Sequence, residues 1–162
     1  MGGVSIIEIH SYALYLNLEV TIMDKFSKEI RSKIMSSIRS KNTTPEINVR
    51  SYLHKKGFRF RLHDNTLPCS PDIILKKYKS VIFVHGCFWH HHNDAECRSS
   101  HIPKSNVNFW KDKIEKNILR DIKNNKLLQK LRWNVFTIWE CETKDEKKLE
   151  KLVSNILNSN YS

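Results

Sequence analysis

The spacing of apolar residues changes along this chain, and each change predicts an element. Ile30, Ile34 and Ile38 recur at i, i+4 and i+8, marking one face of a basic helix over residues 27–40, with Arg31, Lys33 and Arg39 turned away from it. Thr44-Pro45-Glu46 reads as a helix start, with Thr44 as N-cap and Pro45 at the first helical position. That helix runs to about Lys56, and Gly57 stops it. Residues 58–62 alternate apolar and basic side chains, as a strand does. Residues 63–68 form a turn, and Asp72-Ile73-Ile74-Leu75 begins a second strand. Lys76-Lys77-Tyr78-Lys79 turns the chain into residues 80–84, a nearly all-apolar third strand and hence a central one. Residues 106–131 carry a helical stripe of Trp110, Ile114, Ile118 or Leu119, Ile122, Leu128 and Leu131. A fourth strand (133–139) and an amphipathic helix (144–157) complete an α/β pattern with a mixed central sheet flanked by helices.

Residues 23–162 are expected to form a single domain, since the full chain of 162 residues suffices for one real core. Residues 1–22 contain no Lys or Arg. They lack the basic leading end of a signal peptide and are too short and interrupted to span a bilayer, so they read as a poorly ordered extension, with Met23 a candidate start. The formal charge of +11, from 28 Lys+Arg against 17 Asp+Glu, points to a polyanionic partner, most simply nucleic acid.

The strongest chemical signal follows the third strand, where His85-Gly86-Cys87-Phe88-Trp89-His90-His91-His92 leads on to Cys97. Cys87, His92, Cys97 and Cys141 form a candidate set for tetrahedral Zn²⁺, with His91 and His101 as rival ligands. Cys141 ends the fourth strand. It reaches the same loop if that strand lies parallel to residues 80–84. Three thiolates and one imidazole would close the coordination sphere, so such a zinc is structural. Cys69 stands apart. Asp72, opening a neighbouring strand, is a candidate ligand for a hard cation such as Mg²⁺, with a histidine nearby to accept a proton from an attacking water. Phe88 and Trp89 are candidates to stack on bases or wedge between them, and one ring of Phe109-Trp110 can join them.

Several stretches together resemble one family, the very short patch repair (Vsr) DNA mismatch endonucleases. They are Arg31-Ser32-Lys33-x-Met35, Ile38-Arg39-Ser40-Lys41-Asn42-Thr43-x-Pro45-Glu46, Leu67-Pro68-x-x-Pro71-Asp72, Val81 through His90, Phe109-Trp110-x-x-Lys113, Asn117-x-x-Arg120-Asp121 and Trp139-Glu140-Cys141. The resemblance implies a restriction-endonuclease-like fold with a structural zinc. It also implies Mg²⁺-dependent nicking of duplex DNA 5′ to the thymine of a T·G mismatch left by deamination of 5-methylcytosine. Asp72 then binds Mg²⁺ with the Val84 carbonyl, and His85 stands where related nucleases place a lysine. His90 is the general base, and Glu46 supports the site. Phe88, Trp89 and Trp110 become the wedge, and Cys87, His92, Cys97 and Cys141 the zinc ligands. Arg39, Lys41, Asn117 and Arg120 face DNA. The implied setting is a monomer in the bacterial cytoplasm, acting with a cognate cytosine-5 methyltransferase system and mismatch-repair proteins. Two departures stand out. The interval from His92 to Cys97 is longer than the family's commonest spacing, and Cys69-Ser70 replaces a glycine and a basic residue before Pro71-Asp72. The alternatives are a zinc-stabilised DNA-binding module without catalysis and a restriction-system nuclease of the same fold.

Overall fold

The computed structural model describes residues 29, 30, 33, 41–62, 64, 66–104 and 106–159. Glu29, Ile30 and Lys33 are helical. The rest of the basic helix expected over 27–40, Arg39 included, lies outside the described residues, as does the 1–22 extension.

Helix α1 spans Thr44–Lys55 and starts one residue earlier than its Pro45 suggested. The N-cap is Thr43, not Thr44, because Thr43 and Glu46 stand at capping-box spacing. The Thr43 side chain accepts from the Glu46 amide, and Glu46 accepts back from the Thr43 amide at 3.3 Å. Strand β1 (Ile73–Leu75) and strand β2 (Ser80–His85) form an antiparallel hairpin across a 3₁₀ turn at Lys76–Tyr78. Helix α2 (Val107–Lys130) carries the chain back to strand β3 (Asn134–Trp139), which pairs parallel with β2. Asp145, whose side chain accepts from the amides of Lys147 and Lys148, caps helix α3 (Glu146–Asn158). That cap moves the helix start two residues past the expected Lys144.

The sheet is mixed, as expected, but among the described residues it has three strands rather than four, in the order β1-β2-β3. Residues 58–62 join it only through a bridge between Arg61 and Ile74. Their alternation is genuine, but β1 offers just three residues to pair with. Among the described residues, no helix is long and apolar enough to cross a membrane.

Strand periodicity sorts side chains onto two faces. Ile73, Leu75, Ile82 and Ile138 pack with Val49 and Leu53 of α1 and Leu149, Leu152 and Ile156 of α3. Ile74 and Val81 pack with Leu128 of α2 and Trp133. The same alternation turns Asp72, His85 and Trp139 toward the α2 face, and that is where the chemistry collects. Helix α2 buries Trp110, Ile114 and Leu128, but Leu119, Ile122 and Leu131 of the expected stripe are 59%, 43% and 46% exposed. A three-stranded sheet is too narrow to cover a helix of 24 residues on so broad a front.

The approach to Asp72 is strained. Cys69 and Ser70 adopt left-handed backbone, with φ of 71° and 44°. A side chain there costs about 1–2 kcal/mol per residue, which glycine avoids. Cys69→Gly should therefore raise stability by roughly 0.5–1 kcal/mol, after allowing for glycine's extra unfolded-state entropy. Urea denaturation reads this directly, and a lowered midpoint would mean that packing of the half-buried thiol outweighs the strain.

Candidate functional site

Parallel pairing of β2 and β3 brings both C-terminal strand ends to one edge, with His85 opposite Trp139. The loop leaving β2 winds tightly. The His90 amide donates to the Gly86 carbonyl at 3.2 Å, and the His92 amide donates to the Cys87 carbonyl at 2.9 Å. The chain leaving β3 makes a 3₁₀ turn at Glu140–Glu142, so Cys141 sits just past the strand, within that turn. Its amide lies 3.4 Å from the Cys87 sulfur.

Cys87, His92, Cys97 and Cys141 consequently gather, with ligand atoms within 4.8 Å of one another. His92 Nδ1 lies 3.8 Å from Cys87 Sγ and 3.4 Å from Cys141 Sγ. Metal–sulfur bonds of about 2.3 Å give a tetrahedral edge of about 3.8 Å, so these separations suit a shared ion. The His92 ring stacks on Trp139 at 4.3 Å, which fixes its orientation. Burial, followed by the hydrogen bonds and charges of Cys87 and Cys97, pushes the Cys141 thiol up to about 12. Burial likewise raises Cys87. Crowded thiols of this kind ionise together only around a cation, so the donor set fits a metal ion. Cys69 lies outside the cluster, as expected.

The second grouping lies on the α2 face. Asp72 is half-buried just before β1, and its Oδ2 accepts from the Val84 amide at 2.8 Å. His85, at the end of β2, stacks face to face on His90, with ring centroids 3.9 Å apart and planes within 10°. Burial, then the neighbouring His90 charge, pushes His85 down to about 4, so its ring is neutral at physiological pH. His90 Nδ1 lies 2.5 Å from Asp121 Oδ2 of α2. Burial raises the Asp121 carboxyl, but the His90 hydrogen bond and the charges of His90, His85 and Arg120 outweigh it. The net shift is below the usual carboxylate range. His85, His90 and Asp121 are close enough to be considered for a metal ion. Stacked parallel rings keep their in-plane lone pairs in separate planes, so His85 packs on His90 face to face.

Asp121 was assigned no role from sequence. In a helix, Arg120-Asp121 reads as a surface ion pair, and Arg120 does lie 3.7 Å from Asp121 Oδ1. The available signal was its position four residues after Asn117, on the flank of the buried stripe. Asn117 Nδ2 donates to the Trp89 carbonyl at 2.8 Å. Asn117 and Asp121 thus grip consecutive loop residues, Trp89 and His90. Asn117 was expected to face DNA; within the free protein its amide holds the loop. Glu46 is buried, and its bonds go to Asn42, Thr43 and Arg50. Lys41 and Arg120 are exposed. His91 is half-buried, with its basicity lowered by burial, and His101 is exposed with Nδ1 3.0 Å from the Arg98 carbonyl; neither joins the Cys/His set.

Phe88, Trp89 and Trp110 form one edge-to-face array, with ring centroids 5.0–6.0 Å apart. Phe88 and Trp89 are half-buried and Trp110 is 7% exposed, so Trp110 is the inner ring of the array. Gly86 makes room for Trp89, since a Cβ there would stand 3.2 Å from Trp89 Cδ1.

The family model for DNA mismatch endonuclease Vsr matches residues 23–96. A type II nicking enzyme of Neisseria meningitidis serogroup A, V.NmeAIP, is 47% identical over 137 residues, covering 82% of this chain and 96% of that protein. The type II nicking enzyme V.XorIIP of Xanthomonas oryzae pv. oryzae is 46% identical over 135 residues, covering 83% and 97%. The DNA mismatch endonuclease Vsr of Escherichia coli K12 is 40% identical over 126 residues, covering 78% and 79%. With such identity spread over most of its length, the chain belongs to the Vsr family of DNA mismatch endonucleases.

Proposed function

We propose that this protein nicks one strand of duplex DNA 5′ to the thymine of a T·G mismatch arising from 5-methylcytosine deamination, using Mg²⁺ and a restriction-endonuclease-like fold stapled by Zn²⁺. The observation that carries the reading is the grouping of His85, His90 and Asp121 beside an aromatic array, with Asp72 bonded to Val84 next to His85, in a chain of charge +11. Relatives named type II nicking enzymes support cleavage of a single strand. Family membership also weighs against a DNA-binding module without catalysis.

Mg²⁺ held by Asp72 and the Val84 carbonyl would neutralise charge on the scissile phosphate. The Val84 amide donates to Asp72 Oδ2, which orients the carboxylate at the site. Asp121 accepts the Nδ1 proton of His90, which leaves Nε2 free to take a proton from an attacking water. Neutral His85, stacked on His90, holds that ring in its plane without adding repulsive charge. The array of Phe88, Trp89 and Trp110 opens a base step next to the mismatch. A mismatched step costs less to unstack than a matched one, which favours the lesion. The substrate's origin makes a cytosine-5 methyltransferase and mismatch-repair proteins the natural companions of the enzyme in a bacterial cytoplasm.

The direct test is incubation of labelled duplexes, carrying either one T·G or one C·G pair, with and without Mg²⁺. A single nick 5′ to the mismatched thymine is expected; equal cutting of both duplexes would sink the reading. Asp121→Asn should lower the single-turnover nicking rate about 10²-fold, the lower end for a disabled general base, with little change in duplex affinity. A rate within twofold of the parent would mean that His90 does not rely on this carboxylate.

A further inference from the structure

Phe109 is the one aromatic ring among the exposed large hydrophobic side chains of the described residues, at 58% exposure. A lone apolar side chain on a surface needs no special role. The position of Phe109 argues for one. Its ring meets Trp110 edge-on at 5.1 Å and 76°, and Trp110 in turn meets Phe88 and Trp89. Phe109 is thus the outward member of a continuous four-ring array whose inner ring is buried. It also heads a row on α2. Lys113, Lys116 and Arg120 follow at i+4, i+7 and i+11, all exposed and all on the Phe109 side of the helix. An exposed ring at the head of a line of cations offers a base-stacking surface beside charges that can follow a nucleic-acid backbone.

We propose that Phe109 is a fourth DNA-contacting ring, stacking on a base at the step opened by Phe88 and Trp89, while Lys113, Lys116 and Arg120 follow the phosphates of that strand. The proposal rests on the wedge reading of Phe88, Trp89 and Trp110 and adds to it a ring exposed in the free protein. Trp110, the third ring of that wedge, joins Phe109 to Phe88 and Trp89. Because Phe109 is exposed, its substitution spares the core, and an unchanged melting temperature verifies this for each variant.

The test uses the full chain and a T·G duplex with 2-aminopurine beside the mismatch, in Mg²⁺-free buffer so that the strand stays intact. Phe109→Ala should weaken binding to the T·G duplex about tenfold, within the range for one base–aromatic stack. It should also reduce the 2-aminopurine fluorescence gain, and leave affinity for the matched duplex within about twofold, on the same stacking argument. Phe109→Leu should behave like alanine, and full recovery with leucine would overturn stacking. Trp89→Ala, run in parallel, separates the two readings. If it loses mismatch preference while Phe109→Ala keeps it, the Phe109 proposal falls and the wedge stands. If Trp89→Ala keeps mismatch preference, the wedge reading falls and takes this proposal with it.

Discussion

Asp72→Ala should abolish nicking of a T·G duplex, by about 10³-fold or more in a single-turnover assay. A Lewis-acid cation stabilises the transition state by several kcal/mol, and each ~1.4 kcal/mol is a factor of ten in rate. The carboxylate also satisfies the Val84 amide within the sheet, so alanine strands that donor at a cost of about 1–3 kcal/mol in stability. Asp72→Asn separates the two effects. The amide oxygen still accepts from Val84, so the fold should keep its melting temperature. The charge that attracts the cation is lost, so nicking should remain abolished. Substantial activity in the asparagine variant would remove Asp72 from metal binding.

Stripping the metal from Cys87, His92, Cys97 and Cys141 should produce the largest change in stability. Structural zinc binds apo zinc-finger peptides with roughly 10–16 kcal/mol. This domain has a hydrophobic core of its own and will draw on only part of that. Even about 3 kcal/mol would lower the melting temperature by roughly 10 °C for a domain of this size. Elemental analysis should find one zinc per chain, and Cys87→Ser should lose both the metal and the thermal margin. Cys69→Ser, outside the cluster, should retain both. A chelator that leaves the melting curve unmoved would refute a structural metal.

How much was legible in the sequence varies with the physical cause. The apolar run of β2 has no hydrophilic reading, and it was foreseen as central. Cys141 could be set beside Cys87 from sequence because a parallel partner must end at the same edge. The cap of α1 falls on Thr43 and not on the expected Thr44, because the Thr43–Glu46 capping box outweighs the preference for Pro45 at the first helical position. Residues 58–62 show a strand's alternation without a strand's pairing, because pairing depends on the length of the neighbour. Which ring of Phe109-Trp110 turns inward was open in the sequence, since adjacent helical residues differ by 100° and either fits an apolar stripe. Asp121 stayed hidden for the same kind of reason. A carboxylate next to an arginine on a helix looks solvated until a histidine 31 residues away is folded against it.

The parallel pairing of β2 and β3 also bears on how the enzyme comes into being. Cys87 and Cys141 are 54 residues apart, and the strand that carries Cys141 into place is the last of the sheet. At translation rates of about 5–20 residues per second, a nascent chain carries Cys87 for roughly 3–11 s before Cys141 is made. Through that interval the loop holding His85, His90 and Trp89 is unpinned on its β3 side. If Asp72 and the two histidines carry the chemistry and a metal closes the Cys/His set, a growing polypeptide that already includes them is a disarmed nuclease. Its capacity to cut the genome beside it would arrive only once Cys141 has been made and the staple can close.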